Sequence, residues 1–320
     1  MNERMESIKF DDKKGLENLK ETDNFYLDPE LQKELRDLTV GDPEVLRENS
    51  SRILSNLKGL REKDQKLGSN FQLSINDARE YTNILRPCHE TSGQVLLQIL
   101  EDGKFLPQYE VAKQYPGIKS RTTETDKGIN SDLSVFCTFD LFRGFGGNNY
   151  SVIFKKEILE KPSSYFSFND IAALIPNYDT ASSYQSKRYL DEYRKRVIPG
   201  KDAPEVLAEI AATFKNRYED FHSHVSWSDE IFEKIGIPKS SAAKAAGHIS
   251  DRPEIHLLSP TVDDIEAVVI NDWKEKDEVV EKEVLKKLKK LGIPFKYCSD
   301  IDVEGQKLPE TFFKELEKQQ

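Results

Sequence analysis

The sequence predicts an α+β protein, on the evidence of where its strand-like and helix-like patterns fall. Short β-branched and aromatic runs stand at Val135-Phe136-Cys137-Thr138-Phe139 and Tyr150-Ser151-Val152-Ile153-Phe154. They resume at Glu254-Ile255-His256-Leu257-Leu258, Ile265-Glu266-Ala267-Val268-Val269-Ile270 and Phe295-Lys296-Tyr297-Cys298. The chain before and between these groups carries helical apolar spacing, and strands at both ends of a helical middle make α+β.

Residues 1–80 form a polar helical N-terminal region. Leu31, Leu35 and Leu38 share one helical face, as do Ile53, Leu54, Leu57 and Leu60. Asp28-Pro29-Glu30 and Asp42-Pro43-Glu44 each set an acidic cap before proline at a first helical position. The main domain, residues 81–320, opens with a short extended segment ending at His89. Thr91 or Ser92 caps an amphipathic helix over 94–101 that carries Val95, Leu96, Ile99 and Leu100 and stops at Asp102-Gly103. Arg143 to Asn149, with Gly144, Gly146 and Gly147, reads as a loop, and no helix opens after it to make a dinucleotide fingerprint. From about 161 to 248 lies a largely helical or irregular insertion, with helices near 184–196 and 204–222 and another capped by the Ala-rich Ser241 to Gly247. A Lys/Glu-rich helix at about 278–291 precedes the last strand.

At 320 residues and 37% apolar, the chain can bury a full core. A formal net charge of -10 argues against generic binding to a nucleic-acid backbone. The three cysteines, Cys88, Cys137 and Cys298, lack CxxC spacing and suit reduced surroundings. No apolar run approaches the roughly 20 residues of a membrane helix, and the amino terminus lacks an apolar signal stretch, so the expectation is a cytoplasmic protein with no membrane partner. His222 and His224 have no third ligand at metal spacing, so no metal is expected.

Three segments in order carry the chemistry. His89-Glu90-Thr91-Ser92 leads into the helix that stops at Gly103; Val135-Phe136-Cys137-Thr138 sets an aromatic residue before a hydroxyl; and Arg252-Pro253-Glu254-Ile255-His256-Leu257-Leu258-Ser259-Pro260 precedes Asp264-Ile265-Glu266-Ala267-Val268-Val269. Together they resemble the histidine-type ADP-ribosyltransferase superfamily, in which one strand delivers H-x-T, a middle strand lines the nicotinamide pocket, and a glutamate opens a closing strand. The resemblance covers roughly two thirds of the chain and does not reach residues 1–80.

The resemblance implies a split mixed or antiparallel sheet core and NAD as substrate. His89 and Thr91 would position a ribose hydroxyl, which needs a neutral imidazole and a hydroxyl at a strand end. Phe136 would stack on the cationic nicotinamide ring, with Tyr150 as a substitute, and Thr138 would brace the later glutamate. Glu254 would stabilise the oxocarbenium-like ribosyl cation formed when the N-glycosidic bond breaks. Arg121, or less favoured Arg143, would clamp the pyrophosphate. His256 alternates with Glu254 along one strand and so faces the same side.

Two positions depart from the family pattern. Glu90 stands where several members have Gly, and Arg252 stands where arginine-modifying members place a second Glu or Gln, which argues against arginine as the acceptor. The expected activity is NAD-dependent transfer of ADP-ribose to a macromolecular acceptor, a protein rather than nucleic acid, or hydrolysis of NAD. Such domains serve as toxins or effectors delivered into a target cell, and the N-terminal helical region would recruit a target or partner chain. Alternatives are an RNA 2-phosphotransferase or nucleic-acid ADP-ribosyltransferase on the same fold, and a non-catalytic interaction scaffold.

Overall fold

The computed structural model describes residues 43–66, 74–107, 110–111, 134–139, 149–162, 164–168, 194–213, 233–236, 254–272, 277–301 and 312. Several expectations therefore lie outside the described residues: the helices before residue 43, Arg121, Arg143 and its glycine loop, residues 184–193 of the helix expected at 184–196, His222 and His224, 241–247, and Arg252.

Helix α1, Pro43–Lys66, begins on the proline expected at a first helical position. Its face of Leu46, Ile53 and Leu57 is buried, and it is tied to the rest of the fold by polar contacts as well. The Asn49 amide donates to the carbonyls of Arg194 at 2.7 Å and Val197 at 3.0 Å. Helix α2, Ile75–Asn83, opens with the Ser74 hydroxyl accepting from the Asp77 main chain. Strand β1, Cys88–Thr91, turns at Ser92 into helix α3, Gly93–Asp102. Of the two expected caps, Ser92 accepts from Val95 N, and Gly103 closes the helix at φ 75, a conformation that glycine adopts without strain.

The remaining strands are β2 Val135–Cys137, β3 Tyr150–Phe154, β4 Ser164–Ser167, β5 Val197–Pro199, β6 Glu254–Leu257, β7 Ile265–Ile270 and β8 Phe295–Tyr297. Helix α4, Ala203–Thr213, follows β5, and helix α5, Glu278–Leu291, precedes β8 with Asp277 as its N-cap and Gly292 as its αL stop. These strands form two four-stranded sheets, in the orders β1-β3-β7-β8 and β2-β6-β4-β5. The first is mixed, because β8 runs parallel to β7, and the second is antiparallel throughout. This is the α+β class expected. Cys88 and Thr138 join the sheets at a bridge, exchanging main-chain bonds of 2.7 and 2.9 Å.

Within 161–248, read as largely helical or irregular, the described residues hold two strands as well as α4. β4 is an interior strand of the second sheet, with Tyr165 and Phe166 both 0% exposed. A strand covered on both faces loses the polar-apolar alternation by which a strand is recognised, and at four residues it is too short for composition to decide. The main core lies between the sheets and helices: Leu96 and Leu100 of α3, Val152 and Phe154 of β3, Phe166 of β4, Ile255 and Leu257 of β6 and Val206 of α4 belong to one cluster. No helix among the described residues is long and apolar enough to cross a membrane.

Candidate active site

The two sheets part just beyond the bridge between Cys88 and Thr138. β1 continues along β3, pairing Thr91 with Tyr150, while β2 continues along β6, pairing Phe136 with His256. Successive carbonyls on one edge of a strand recur every second residue, so the Phe136 carbonyl faces the edge on which Thr138 meets β1. No β1 main-chain group meets it. The imidazole of His89 does, with Nδ1 2.9 Å from Phe136 O. A carbonyl only accepts, so Nδ1 carries the proton and Nε2 remains as the ring's acceptor. Burial lowers the His89 pKa, against the opposing effect of that bond to Phe136, so the ring is neutral at pH 7. Its edge contact with Phe105, 5.8 Å between centroids, sets the plane of the ring.

Across β2, the register aligns one face of three strands. Phe136 lies opposite His256, Tyr165 opposite His256 from the other side, and Ser167 opposite Glu254. His256 is 0% exposed and has an aromatic neighbour on each side. Tyr165 stacks on it at 4.6 Å and 7°, and Phe136 meets it at 4.7 Å and 65°. The Ser134 hydroxyl lies 2.9 Å from its Nδ1, and its Nε2 lies 3.5 Å from Glu254 Oε2. Burial pulls the His256 pKa down to about 3, so this ring too is neutral, and its approach to Glu254 is not an ion pair.

A series of contacts therefore links His89 to Glu254: the His89 imidazole to the Phe136 main chain, the Phe136 ring to the His256 ring, and the His256 imidazole towards the Glu254 carboxylate. His256 stands on Glu254's side of its strand, as the alternation predicts. Glu254, 9% exposed, opens β6 as expected. Thr91 ends β1, buried at 4%, and Thr138 sits at the joint between the sheets. Tyr150 lies apart from this group, on β3 under the first turn of α3, where its ring would be 3.0 Å from a Cβ added at Gly93. Burial, and then the Glu281 carboxylate, push its phenol up to about 12, so it stays protonated. Tyr165 and Ser134 complete the surroundings of His256, and neither was singled out in the sequence. They become legible only once β4 and β2 are known to flank β6.

The chemistry along this contact series is a neutral imidazole with an acceptor at Nε2, an aromatic ring of intermediate exposure, and a carboxylate largely out of water. No family model and no curated protein matches the chain. Among solved structures, it is similar to Thermus sp. 2.9 DarT in complex with ADP-ribosylated ssDNA, at 12% identity over 68% of this chain and 95% of that one, with a TM-score of 0.33. It is similar to the same protein in complex with carba-NAD+, at 12% identity over 68% of this chain and 96% of that one, TM-score 0.34. Thermosipho africanus DarTG in complex with ADP-ribose aligns at 13% identity over 72% of this chain and 51% of that one, TM-score 0.34. TM-scores of this size set neither an activity nor a site residue for this chain. One expectation is withdrawn: a preference for a protein over a nucleic-acid acceptor stands against a similar structure that holds ADP-ribosylated ssDNA, and it is not kept.

Proposed function

We propose that the chain is an NAD-dependent ADP-ribosyltransferase that cleaves the nicotinamide N-glycosidic bond and passes ADP-ribose to a macromolecular nucleophile. The observation that carries this reading is the contact series from His89 through Phe136 and His256 to Glu254, which gathers residues far apart in sequence at the parting of the two sheets.

In this reading His89 accepts a ribose hydroxyl at Nε2 beside Thr91, and Phe136 offers its ring face to the nicotinamide. Thr138 holds the joint on which both depend. Arg121 is assigned to the pyrophosphate, and Tyr150 supports the strand end that carries Thr91. When the C1′–N bond breaks, its electron pair leaves with nicotinamide, and positive charge spreads over C1′ and the ring oxygen of the ribosyl group. The Glu254 carboxylate opposes that charge, which exists chiefly in the transition state. An acceptor oxygen or nitrogen then bonds to C1′ and gives up its proton.

The test is incubation of the protein with labelled NAD, a single-stranded DNA and a cell lysate, beside Glu254→Gln. Nicotinamide release, with label on a macromolecule, is expected from the parent and lost by at least about a hundredfold in the variant. NAD bound without any nicotinamide release from the parent would overturn the enzymatic reading in favour of a scaffold.

A further inference from the structure

We propose that His256 is the positioning residue of Glu254: clamped between Phe136 and Tyr165, with Nδ1 held by Ser134, it presents Nε2–H to the Glu254 carboxylate and keeps that group ionised and aimed.

Three observations support this, on β2, β4, β6 and the residue just before β2. The ring cannot turn, because Tyr165 covers one face at 4.6 Å and Phe136 meets it at 4.7 Å. Its two nitrogens have distinct neighbours, Ser134 Oγ at 2.9 Å on Nδ1 and Glu254 Oε2 at 3.5 Å on Nε2. A carboxylate only accepts, so the tautomer that serves it carries the proton on Nε2, and the Ser134 hydroxyl, able to donate, completes Nδ1. Finally, both His256 and Ser134 are almost wholly buried, at 0% and 1% exposed, so the ring nitrogens face protein groups and not bulk water. At 3.5 Å, Nε2 and Oε2 stand just beyond hydrogen-bond contact with each other, and contacts between catalytic groups commonly tighten when substrate arrives.

Neutrality is what makes the arrangement useful. An imidazolium beside Glu254 would cancel the charge that a ribosyl cation must feel, whereas a neutral donor fixes the carboxylate and leaves its charge intact. Burial supports this by holding the ring neutral well below pH 7. Among the described residues, the titratable group that faces the pair from β4 is Tyr165; β2 presents Phe136, Ser134 stands just before β2, and His89 meets the group through the Phe136 main chain.

The test measures the carboxyl titration of Glu254 by NMR in the full chain with 13C-labelled glutamate, the signal assigned by its absence in Glu254→Gln. His256→Phe keeps an aromatic ring in the stack and removes the donor. Its Glu254 midpoint is expected about one pH unit above the parent's, with the parent value restored in His256→Gln, whose amide reaches the Nε2 position. Ser134→Ala, which leaves the stack filled, is expected to raise the midpoint by a smaller amount and decides the matter if His256→Phe does not fold. Unchanged midpoints in His256→Phe and Ser134→Ala overturn the proposal.

The kinetic arm rests on the transferase reading. The acid limb of nicotinamide release is expected to move upward with the carboxyl midpoint, and kcat to fall about tenfold in His256→Phe with little change in KM. A parent that releases no nicotinamide defeats the transferase reading alone, because the NMR arm still decides the role of His256.

Discussion

His89 donates its Nδ1 proton to the main-chain carbonyl of Phe136 across 2.9 Å, at the point where the strands carrying them part. The side chain takes the place of a ladder bond, so one residue both seals the split and keeps Nε2 as a hydrogen-bond acceptor. His89→Ala removes a donor from a carbonyl that has no strand partner on that side, and a stability loss of about 1–2 kcal/mol by urea denaturation is expected. His89→Asn places an amide donor near the Nδ1 position. It is expected to hold parent stability and still lose nicotinamide release by about tenfold or more, because it has no Nε2. Equal losses of stability in the two variants would contradict the double role.

Both histidines of the site are held neutral by burial, and this predicts how stability depends on acidity. The His256 pKa falls from 6.5 to about 3 on folding, and that of His89 falls as well. Between the unfolded and folded values the unfolded chain binds more protons, so the contribution is neutral above about pH 6.5 and turns destabilising as pH drops through that window. For His256 alone the loss between pH 7 and pH 5 is about 2 kcal/mol. Urea midpoints at the two values should show a smaller acid loss in His256→Phe than in the parent. Parallel slopes would show that the ring gains its proton without cost.

How much of this was legible in the sequence follows from how local each feature is. β2, β3, β6, β7 and β8 were readable because their aromatic and β-branched runs are bounded by turn residues, and α3 because Ser92 and Gly103 mark both its ends. β4 and β5 were not. Ser164 to Ser167 is covered on both faces, and Val197 to Pro199 is a three-residue edge. Within the site, the alternation of Glu254 and His256 could be read from spacing alone. The stacking of Tyr165 and the bond from Ser134 could not, because they depend on which strands flank β6. The bond from His89 to Phe136 depends on where two sheets diverge, which no window of sequence contains.

Gly93 opens α3 directly after the strand that carries His89 and Thr91, and the space beside it is full. A Cβ there would lie 2.9 Å from Val280 Cγ1 and 3.0 Å from Tyr150 Cε2. Gly93→Ala must push α3 away from α5 or turn the Tyr150 ring, and overpacking of this kind costs about 1–3 kcal/mol. Thermal unfolding should show the loss, and Val280→Ala in the same chain should recover part of it. Recovery is expected because that change removes the nearer of the two contacts, while Val280→Ala alone leaves a small cavity. Strict additivity of the two single losses would mean that α3 does not seat against α5 as described.

Arg61 reaches from α1 to Glu209 of α4 with two bonds, Nε to Oε2 at 3.2 Å and a second guanidinium nitrogen to Oε1 at 3.3 Å. The glutamate side chain is 1% exposed and the arginine 20%, so the pair is largely desolvated. Removing the cation alone leaves a buried carboxylate uncompensated, and Arg61→Met is expected to lose about 3–5 kcal/mol in urea denaturation. The double variant Arg61→Met with Glu209→Leu removes the charge along with its partner and should be more stable than Arg61→Met by about 2 kcal/mol or more. That outcome would make α1 an integral wall of the domain. If Arg61→Met proved neutral, α1 would be a detachable leader, and its cleavage before residue 75 should then leave the melting temperature unchanged.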